Sequence, residues 1–491
     1  MNHLLIRCLL SSCLVICIGN WPLASHESLP KKNVLLIIAD DLSATALGCY
    51  GNKICKTPNI DRLAGRGMLF ENAYCQFPVC GPSRAALMSG MYCPTIGIMG
   101  NGGSSQFTKN MGERPTMSQF FKNQGWYSAR VSKIYHMRVP GDITAGVDGP
   151  DHLASWSARF NCQGPEWMSE GRHEHLTNEK LKRIPDQHYS LGFGGAFYTV
   201  RTSSSDGKFQ PDKLAADKAI DLLQQKRESP FFLAVGFVRP HVPLVAPGSY
   251  FKEYKLSKML LPETFANDVD DIPLAGISKN SVKIGLNSET KKQKVLQAYY
   301  ASVSFMDYQV GRILSQLENL GLSKNTVVIF KSDHGYHLGE HGFWQKMSLH
   351  EESARIPLIV SAPGFPQGKR SSALVEAIDL YPTLVELNQC KVPSHCQGKS
   401  LRPILEDPQQ SIREAAYCTT SKGNLVRTDR FALIRYQDES EEFYDMKDDP
   451  QQFKNISGLK KMASEVLRHR KLIREHLLDQ KKSGQPKKTG K

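Results

Sequence analysis

After its first twenty residues the sequence has no uninterrupted apolar run of the roughly 20 residues needed to span a bilayer, which excludes a polytopic membrane protein. It has no zinc-finger spacing and no RNA-binding signature, so a net charge of +14 has no nucleic-acid motif to serve. No internal repeat is visible, and low complexity is confined to the final dozen residues. Charged residues make up 22% of the chain and hydrophobic ones 40%, the proportions of a folded, soluble protein rather than a disordered one. A length of 491 residues suits one large domain and one smaller one.

The long-range attraction of such a basic surface is for polyanions, among them acidic polysaccharides and lipid headgroups. The lysines at the end of the chain (Lys481, Lys482, Lys487, Lys488, Lys491) read more simply as a solvated, disordered tail over 481–491. At the other end, Arg7 precedes the apolar residues 8–18, and small residues surround Ala24. That run is too short for an anchor and no stop-transfer pattern follows. It reads as a signal peptide, 1–24, and implies export to a periplasmic, extracellular or lysosome-like compartment. Of twelve cysteines, Cys8, Cys13 and Cys17 leave with it and nine remain, an odd number. With Cys80 set aside, eight are left to pair in an oxidising compartment, Cys390 with Cys396 being the most plausible local pair.

Residues 34–39, VLLIIA, form a continuous apolar run followed at once by Asp40-Asp41, the pattern of a buried parallel strand ending in a polar loop. Thr57-Pro58 opens a helix that Gly67 closes. Helices are expected at 115–123, 211–227, 292–320 and 379–387, and strands at 126–131, 230–237, 326–330 and 357–360. This alternation predicts an α/β domain over 25–400, with a large, mostly parallel sheet between helices. Short strands at 424–436 and 442–444 and a helix at 459–478 predict a smaller C-terminal α+β subdomain over 401–480.

Two acidic loops follow apolar strands directly, Asp40-Asp41 and Asp333-His334. Ligands of open α/β sheets bind beyond the carboxyl ends of strands, so these loops can meet around one cation. Oxygen-rich sites suit calcium or magnesium, and an extracellular setting favours calcium; capping of loops or helices is the simpler role for any one of these aspartates. A third element is the turn Cys80-Gly81-Pro82 running into a helix at Ser83-Arg84, whose N-terminus and arginine attract an oxyanion. An anion pocket beside a cation site suggests hydrolysis or transfer of a sulfate or phosphate ester. Cys80 itself remains open at this point as a disulfide half, a metal ligand, a nucleophile or a residue that is modified.

The stretch C-G-P-S-R-A-A-L-M-S-G resembles the sulfatase signature C-x-P-S-R-x-x-L-x-[ST]-G at Cys80, Pro82, Ser83, Arg84, Leu87, Ser89 and Gly90. Asp40-Asp41, Ser132 to His136 (S-K-I-Y-H), R-P-H-V-P ending at Pro243, S-D-H-G-Y-H-L-G-E-H-G-F-W-Q-K ending at Lys346, and E-F-Y-D-M-K-D-D-P ending at Pro450 resemble the family's other motifs in order. The chain is similar to the formylglycine-dependent sulfatases of the alkaline phosphatase superfamily, and its Asp-Asp and Asp-His pairs look most like the iduronate-2-sulfatase branch. The resemblance implies that a formylglycine-generating or anaerobic maturation enzyme oxidises Cys80 to Cα-formylglycine. One hydroxyl of its hydrate then attacks sulfur, and the other expels sulfate. It implies one calcium ion on Asp40, Asp41, residue 80, Asp333 and His334. Arg84 and Lys133 are implied to hold the hydrate, Lys133 and Lys346 the sulfate oxygens, His241 the proton for the leaving oxygen, and His136 the proton of the second hydroxyl.

Ser132 departs from the glycine usual before the lysine. His337, His341 and Trp344 are candidates for a sugar subsite or for packing, and Asp151-His152 with Ser155-Trp156 for a substrate loop or an ordinary surface loop. The expected substrate is a sulfated sugar or anionic polysaccharide, with no nucleic acid and no stable membrane insertion. The alternatives are a phosphonate or phosphate ester hydrolase using the same centre, and an inactive carbohydrate-binding relative.

Overall fold

The computed structural model describes residues 31–178, 182–183, 190–191, 196–278 and 280–484. The expected signal peptide and residues 485–491 of the expected tail lie outside the described residues. The main sheet has eight strands: β1 Asn33–Asp40, β2 Met68–Tyr74, β3 Tyr127–Ser132, β4 Ala158–Phe160, β5 Phe231–Pro240, β6 Thr326–Ser332, β7 Arg355–Ser361 and β8 Lys369–Glu376. Their spatial order is β8-β2-β7-β6-β1-β5-β3-β4. β1 runs parallel to β6 and β5, β3 to β5 and β4, and β8 to β2, while β7 runs antiparallel to β6 and β2. The fold is α/β with a large, mostly parallel sheet, as the alternation of strands and helices implies.

β1 sits centrally because both of its faces are apolar. Val34, Leu36 and Ile38 enter one core with Phe70, Phe232 and Leu358, and Leu35, Ile37 and Ala39 enter the other with Tyr299, Val303 and Met306. Residues two apart share a face of a strand, so one run of six apolar residues seeds a core on each side. The helix Glu289–Asn319 covers the second face, and its N-terminus is fixed by Ser288, whose side chain accepts from the Lys291 N–H. β2 and β8 escape a reading from periodicity. Glu71-Asn72 interrupts one, and β8, the edge strand, keeps Lys369, Arg370 and Ser372 exposed.

The C-terminal region is an antiparallel meander of Ala415–Thr419, Gly423–Thr428, Phe431–Tyr436 and Glu441–Asp445. The stretch 424–436, expected as strand, is therefore a hairpin. One face packs on the helix Ala463–Gly484 through Val426, Leu433, Phe443, Val466 and Ile473. Cys418, Leu425, Ala432, Ile434 and Tyr444 join the same core as Phe70 and Leu358, so this region is continuous with the main sheet in one compact unit. The terminal helix continues through 481–484, the first residues of the expected tail.

None of the nine cysteines beyond the expected signal peptide is joined in a disulfide. The Cys390 thiol turns to the Asn388 carbonyl at 3.4 Å, whereas Cys396 packs beside Gly90 and Tyr381, so the expected local pair is not formed. Among the described residues no helix is long and apolar enough to cross a membrane.

Candidate active site

Because β6, β1, β5 and β3 are adjacent and parallel, their carboxyl ends open on one edge of the sheet. β1 ends in Asp40, β6 leads to Asp333-His334, β3 to Lys133, and β5 to His241. The helix Cys80–Ser89 begins at the same edge. It starts one turn earlier than the sequence suggested, with Cys80 itself as the first helical residue. The early start is possible because Pro82 has no N–H to satisfy, and because the Gly81 N–H donates to Asn101 Oδ1 at 2.8 Å. Gly81 is required here, since a Cβ would stand 2.4 Å from Ser104 Oγ.

The Cys80 sulfur lies 3.4 Å from both His334 Nε2 and Lys346 Nζ and 3.9 Å from Asp41 Oδ1. Arg84, one turn along, donates from Nε to Asp333 Oδ2 at 2.9 Å and from a terminal nitrogen to the carbonyls of Lys133 and Ile134 at 2.5 and 3.1 Å. Its other terminal nitrogen is 3.4 Å from Asp40 Oδ1, and Lys133 Nζ is 2.5 Å from Asp40 Oδ2. Lys346 Nζ is 2.5 Å from Asp41 Oδ1. Three carboxylates and three cations thus interlock around residue 80. Asp40, Asp41, Arg84, Lys133, Asp333 and His334 are buried, whereas His136, His241 and Lys346 keep some exposure and form the open side.

Burial, followed by the charge of Asp40, pushes the Cys80 thiol well above its ordinary range, against the pull of Lys133 and Lys346. The same burial would raise Asp40 and Asp41, yet Lys133, His241 and Arg84 hold the first low, and His241, Lys346 and His334 hold the second low. Burial and repulsion from Lys133 take His136 down to about 2, and its Nδ1 has no hydrogen-bond partner. Burial takes His241 down to about 4, with Lys346 adding to the fall and Asp41 opposing it. Both rings are neutral at pH 7. His241 Nδ1 faces the Val242 carbonyl at 2.5 Å, which only accepts, so Nδ1 carries the proton and the Nε2 lone pair points toward Asp41 Oδ2 at 3.7 Å.

Ligand atoms of Asp40, Cys80, Asp333 and His334 lie within 4.8 Å of one another, as do those of Asp41, Cys80 and His241. Asp41 Oδ2 is buried without a hydrogen-bond donor. A buried carboxylate oxygen in that state is costly, and an oxygen-rich donor set fits a hard divalent cation. Asp41 also has a left-handed backbone, φ 63°. Tyr299 holds this turn, its hydroxyl donating to the Asp41 carbonyl at 2.6 Å and accepting from the Ser43 N–H at 2.9 Å.

Some sequence candidates stand elsewhere. Trp344 is fully buried, with Nε1 donating to Ser281 Oγ at 2.8 Å. His341 Nδ1 lies 3.2 Å from the Asp268 carboxylate, and His337 is buried against Phe343 and His350. All three are packed in the interior, in a loop that forms a small hairpin of His337–Leu338 with Trp344–Gln345. Asp151 accepts from Arg130 Nε of β3 and from Trp156 Nε1 at 2.7 and 3.0 Å, and His152 Nδ1 meets Ser155 Oγ at 2.9 Å, so these polar groups are paired within the protein.

Ser132 adopts φ 58°, a left-handed conformation that favours glycine, which accounts physically for the glycine usual at this position. Two positioning residues escaped the sequence reading, Tyr299 and Gly236. Gly236 lies beside the Lys133 backbone so closely that a Cβ would meet the Lys133 carbonyl oxygen at 1.9 Å. A glycine inside an apolar strand was the signal available for it.

Residues 32–389 match the family model described as sulfatase. The chain belongs to the sulfatase family. Residues 339–482 match a second model, the C-terminal region of N-sulphoglucosamine sulphohydrolase. A sulfatase of Formosa agariphila is 32% identical over 469 residues, spanning 93% of this chain and 89% of the relative. Iduronate 2-sulfatase of Homo sapiens is 33% identical over 444 residues, 78% of this chain and 77% of its own. A structure solved with its substrate D-glucosamine-2-N,6-O-disulfate aligns with a TM-score of 0.70 at 23% identity, covering 94% of this chain and all of the other. A phosphonate monoester hydrolase of Agrobacterium radiobacter aligns at 0.73 and 22%, covering 93% and 96%. At such identities the structures show the shared fold, and the sulfatase family relationship makes this chain a sulfuric ester hydrolase.

Proposed function

We propose that this sulfatase removes sulfate from a sulfated carbohydrate, using formylglycine made from Cys80 by a maturation enzyme and one calcium ion. The observation that carries the reading is the position of Cys80: the first residue of a buried helix, within 3.4 Å of Lys346 and His334 and in reach of three carboxylates. Relatives named for sugar substrates, iduronate 2-sulfatase and N-acetylglucosamine-6-O-sulfatase, support the substrate class. Export after removal of residues 1–24 accompanies the reading.

Asp40, Asp41, residue 80, Asp333 and His334 would hold the calcium ion, which supplies positive charge beside the reacting oxygens. Oxidised residue 80 supplies an aldehyde hydrate, an oxygen nucleophile that a buried thiol cannot match. Arg84 fixes the helix start against Asp333 and the Lys133 carbonyl. Lys346 and Lys133 place ammonium groups where sulfate oxygens arrive, compensating charge in a site closed to water on its floor. His241 keeps some exposure at the open side, with Nε2 unprotonated beside Asp41. An arriving anionic ester raises its proton affinity, and the protonated ring then serves the leaving sugar oxygen. His136, with a free Nδ1, is the base for the remaining hydroxyl.

The test is mass spectrometry of the peptide containing residue 80 together with turnover of 4-nitrophenyl sulfate and 4-nitrophenyl phosphate. The reading expects an aldehyde at residue 80 and strong preference for the sulfate. Preference for the phosphate ester, or an unmodified thiol in a protein that still turns over sulfate, would overturn it.

A further inference from the structure

A cavity of about 450 Å³ adjoins the candidate active site, walled by the stretches 275–278, 346–349 and 420–422 with Asn178, Lys283, Ile284 and Tyr436. Lys346 belongs to both, since its Nζ lies 3.4 Å from the Cys80 sulfur. The cavity is larger than a sulfate requires and falls in the size range of sites for small organic ligands. Among the described residues, three lysines, Lys283, Lys346 and Lys422, line it, and no aspartate or glutamate does. Elsewhere on this molecule lysines pair with acids, as Lys56 with Glu253 at 2.8 Å and Lys213 with Asp217 at 3.1 Å. Lys346 is paired with Asp41, so the local excess of positive charge on the cavity wall comes from Lys283 and Lys422.

The backbones of the two outer lysines are held in place. Lys422 sits in the turn between Ala415–Thr419 and Gly423–Thr428, where its N–H donates to Thr420 Oγ1 at 3.1 Å and its carbonyl accepts from the Gln437 N–H at 2.9 Å. Its Nζ donates to the Ala275 carbonyl at 3.2 Å, which uses one of three donors and leaves two. Lys283 lies in the short helix Ser281–Ile284, whose N-terminus Asn280 caps through the Lys283 N–H at 2.9 Å. Between the cations the wall combines an apolar patch with the polar residues Ser278, Ser348, Thr420 and Ser421. Met347 is 56% exposed, with a left-handed backbone (φ 80°), and Ile277, Ile284 and Leu349 continue the surface. An apolar patch flanked by hydroxyls and cations matches a pyranose ring bearing an acidic substituent.

We propose that this cavity is a second anion subsite: Lys422 and Lys283 bind a carboxylate or a further sulfate on the sugar, in addition to the ester that is cleaved beside Lys346. The proposal rests on the sulfatase site described above and adds to it the class of substrate, a sugar or oligosaccharide with at least two negative groups. The C-terminal subdomain, through Lys422, then takes part in substrate choice.

The test compares kcat/KM of the matured enzyme for three disaccharides, one monosulfated and otherwise neutral, one monosulfated with a uronate, and one disulfated, with 4-nitrophenyl sulfate alongside. The wild type is expected to prefer one of the doubly charged disaccharides over the neutral one by about a hundredfold, and the preferred arm identifies the second anion. Lys422→Gln and Lys283→Gln are each expected to shrink that ratio by about tenfold, the worth of one hydrogen bond to a charged group, mainly through KM. Lys422→Arg should restore most of it. Thermal melts of the variants separate loss of fold from loss of selectivity. Turnover of all esters with a ratio near one, or a ratio untouched by both substitutions, overturns the subsite alone. Absence of turnover of every ester by protein carrying the aldehyde overturns the sulfatase site and the subsite with it.

Discussion

Gly236→Ala tests whether the active-site lysine is placed by backbone crowding. Gly236 lies in β5 between its neighbours, paired with Ser132 of β3 on one side and Ile38 of β1 on the other. A Cβ there would stand 1.9 Å from the Lys133 carbonyl oxygen, 2.4 Å from its carbonyl carbon and 3.0 Å from its Cα. All three are backbone atoms, so no side-chain rotation relieves the clash. An ordinary contact needs about 3.5 Å, and the strand and loop must separate by about 1.5 Å. The Lys133 carbonyl accepts from Arg84, and Lys133 Nζ holds Asp40, so one methyl group displaces two cations of the site together. A misplacement of about 1 Å costs about a hundredfold in rate, or about 2.7 kcal/mol of transition-state stabilisation, and overpacking costs a further 1–3 kcal/mol of stability, roughly. The assay is kcat/KM on 4-nitrophenyl sulfate, with the aldehyde content of residue 80 measured so that failed maturation is not mistaken for misplacement. Gly458→Ala, where a Cβ meets nothing within 4 Å, is the control. Gly236→Ala activity within about threefold of wild type, at equal aldehyde content, would refute the reasoning.

Ser132→Gly should raise the melting temperature, because it removes a left-handed serine backbone (φ 58°) and a buried hydroxyl without a partner; a net gain of about 1 kcal/mol is expected after the entropy of the unfolded glycine, and a lower melting temperature counts against it. Burial lifts the Asp307 carboxyl to about 6, against the hydrogen bonds from Asn59 and Ile60. A pKa raised in the folded state means stabilisation present below about pH 4 and lost as pH rises to 6, worth roughly 3 kcal/mol at most. Asp307→Asn should flatten that decline in denaturant titrations, and an unchanged profile would contradict it. Calcium at a hundred times its Kd should stabilise the protein by about 2.7 kcal/mol. Chelation should reverse the rise in melting temperature and Asp333→Asn abolish it; an equal rise in that variant would place calcium elsewhere.

Strands whose alternation is intact were legible at once: β1, with six apolar residues in succession, implies a central strand and a core on each face. The helix ending near residue 320 was legible from its apolar spacing, and Ser288 explains why it starts at Glu289 rather than three residues later. β2 and β8 were not, because polar residues in their middles erase the period that a reader follows, and only pairing with each other and with β7 makes them strands. The start of the helix at Cys80 differs by one turn for a similar reason: Pro82 reads as a turn, and only the Asn101 side-chain oxygen Oδ1, twenty residues on, makes the earlier start favourable.

The same division runs through the site. Residue types and their order along the chain grouped Cys80, Arg84, two acidic loops and two lysines as one candidate centre, since a signature is a list of chemical groups at short spacings, and the fold brings these residues together. Which of the histidines face that centre was a tertiary matter. His337, His341 and Trp344 share a loop with Lys346, yet the hairpin within that loop turns them into the interior and leaves Lys346 at the opening. The 1.9 Å crowding of Gly236 against Lys133 and the meeting of Lys422 with Lys346 around one cavity join residues from distant parts of the chain. Such contacts depend on the closing of the sheet and on the fusion of the C-terminal subdomain with its core, and no local pattern of residues encodes them.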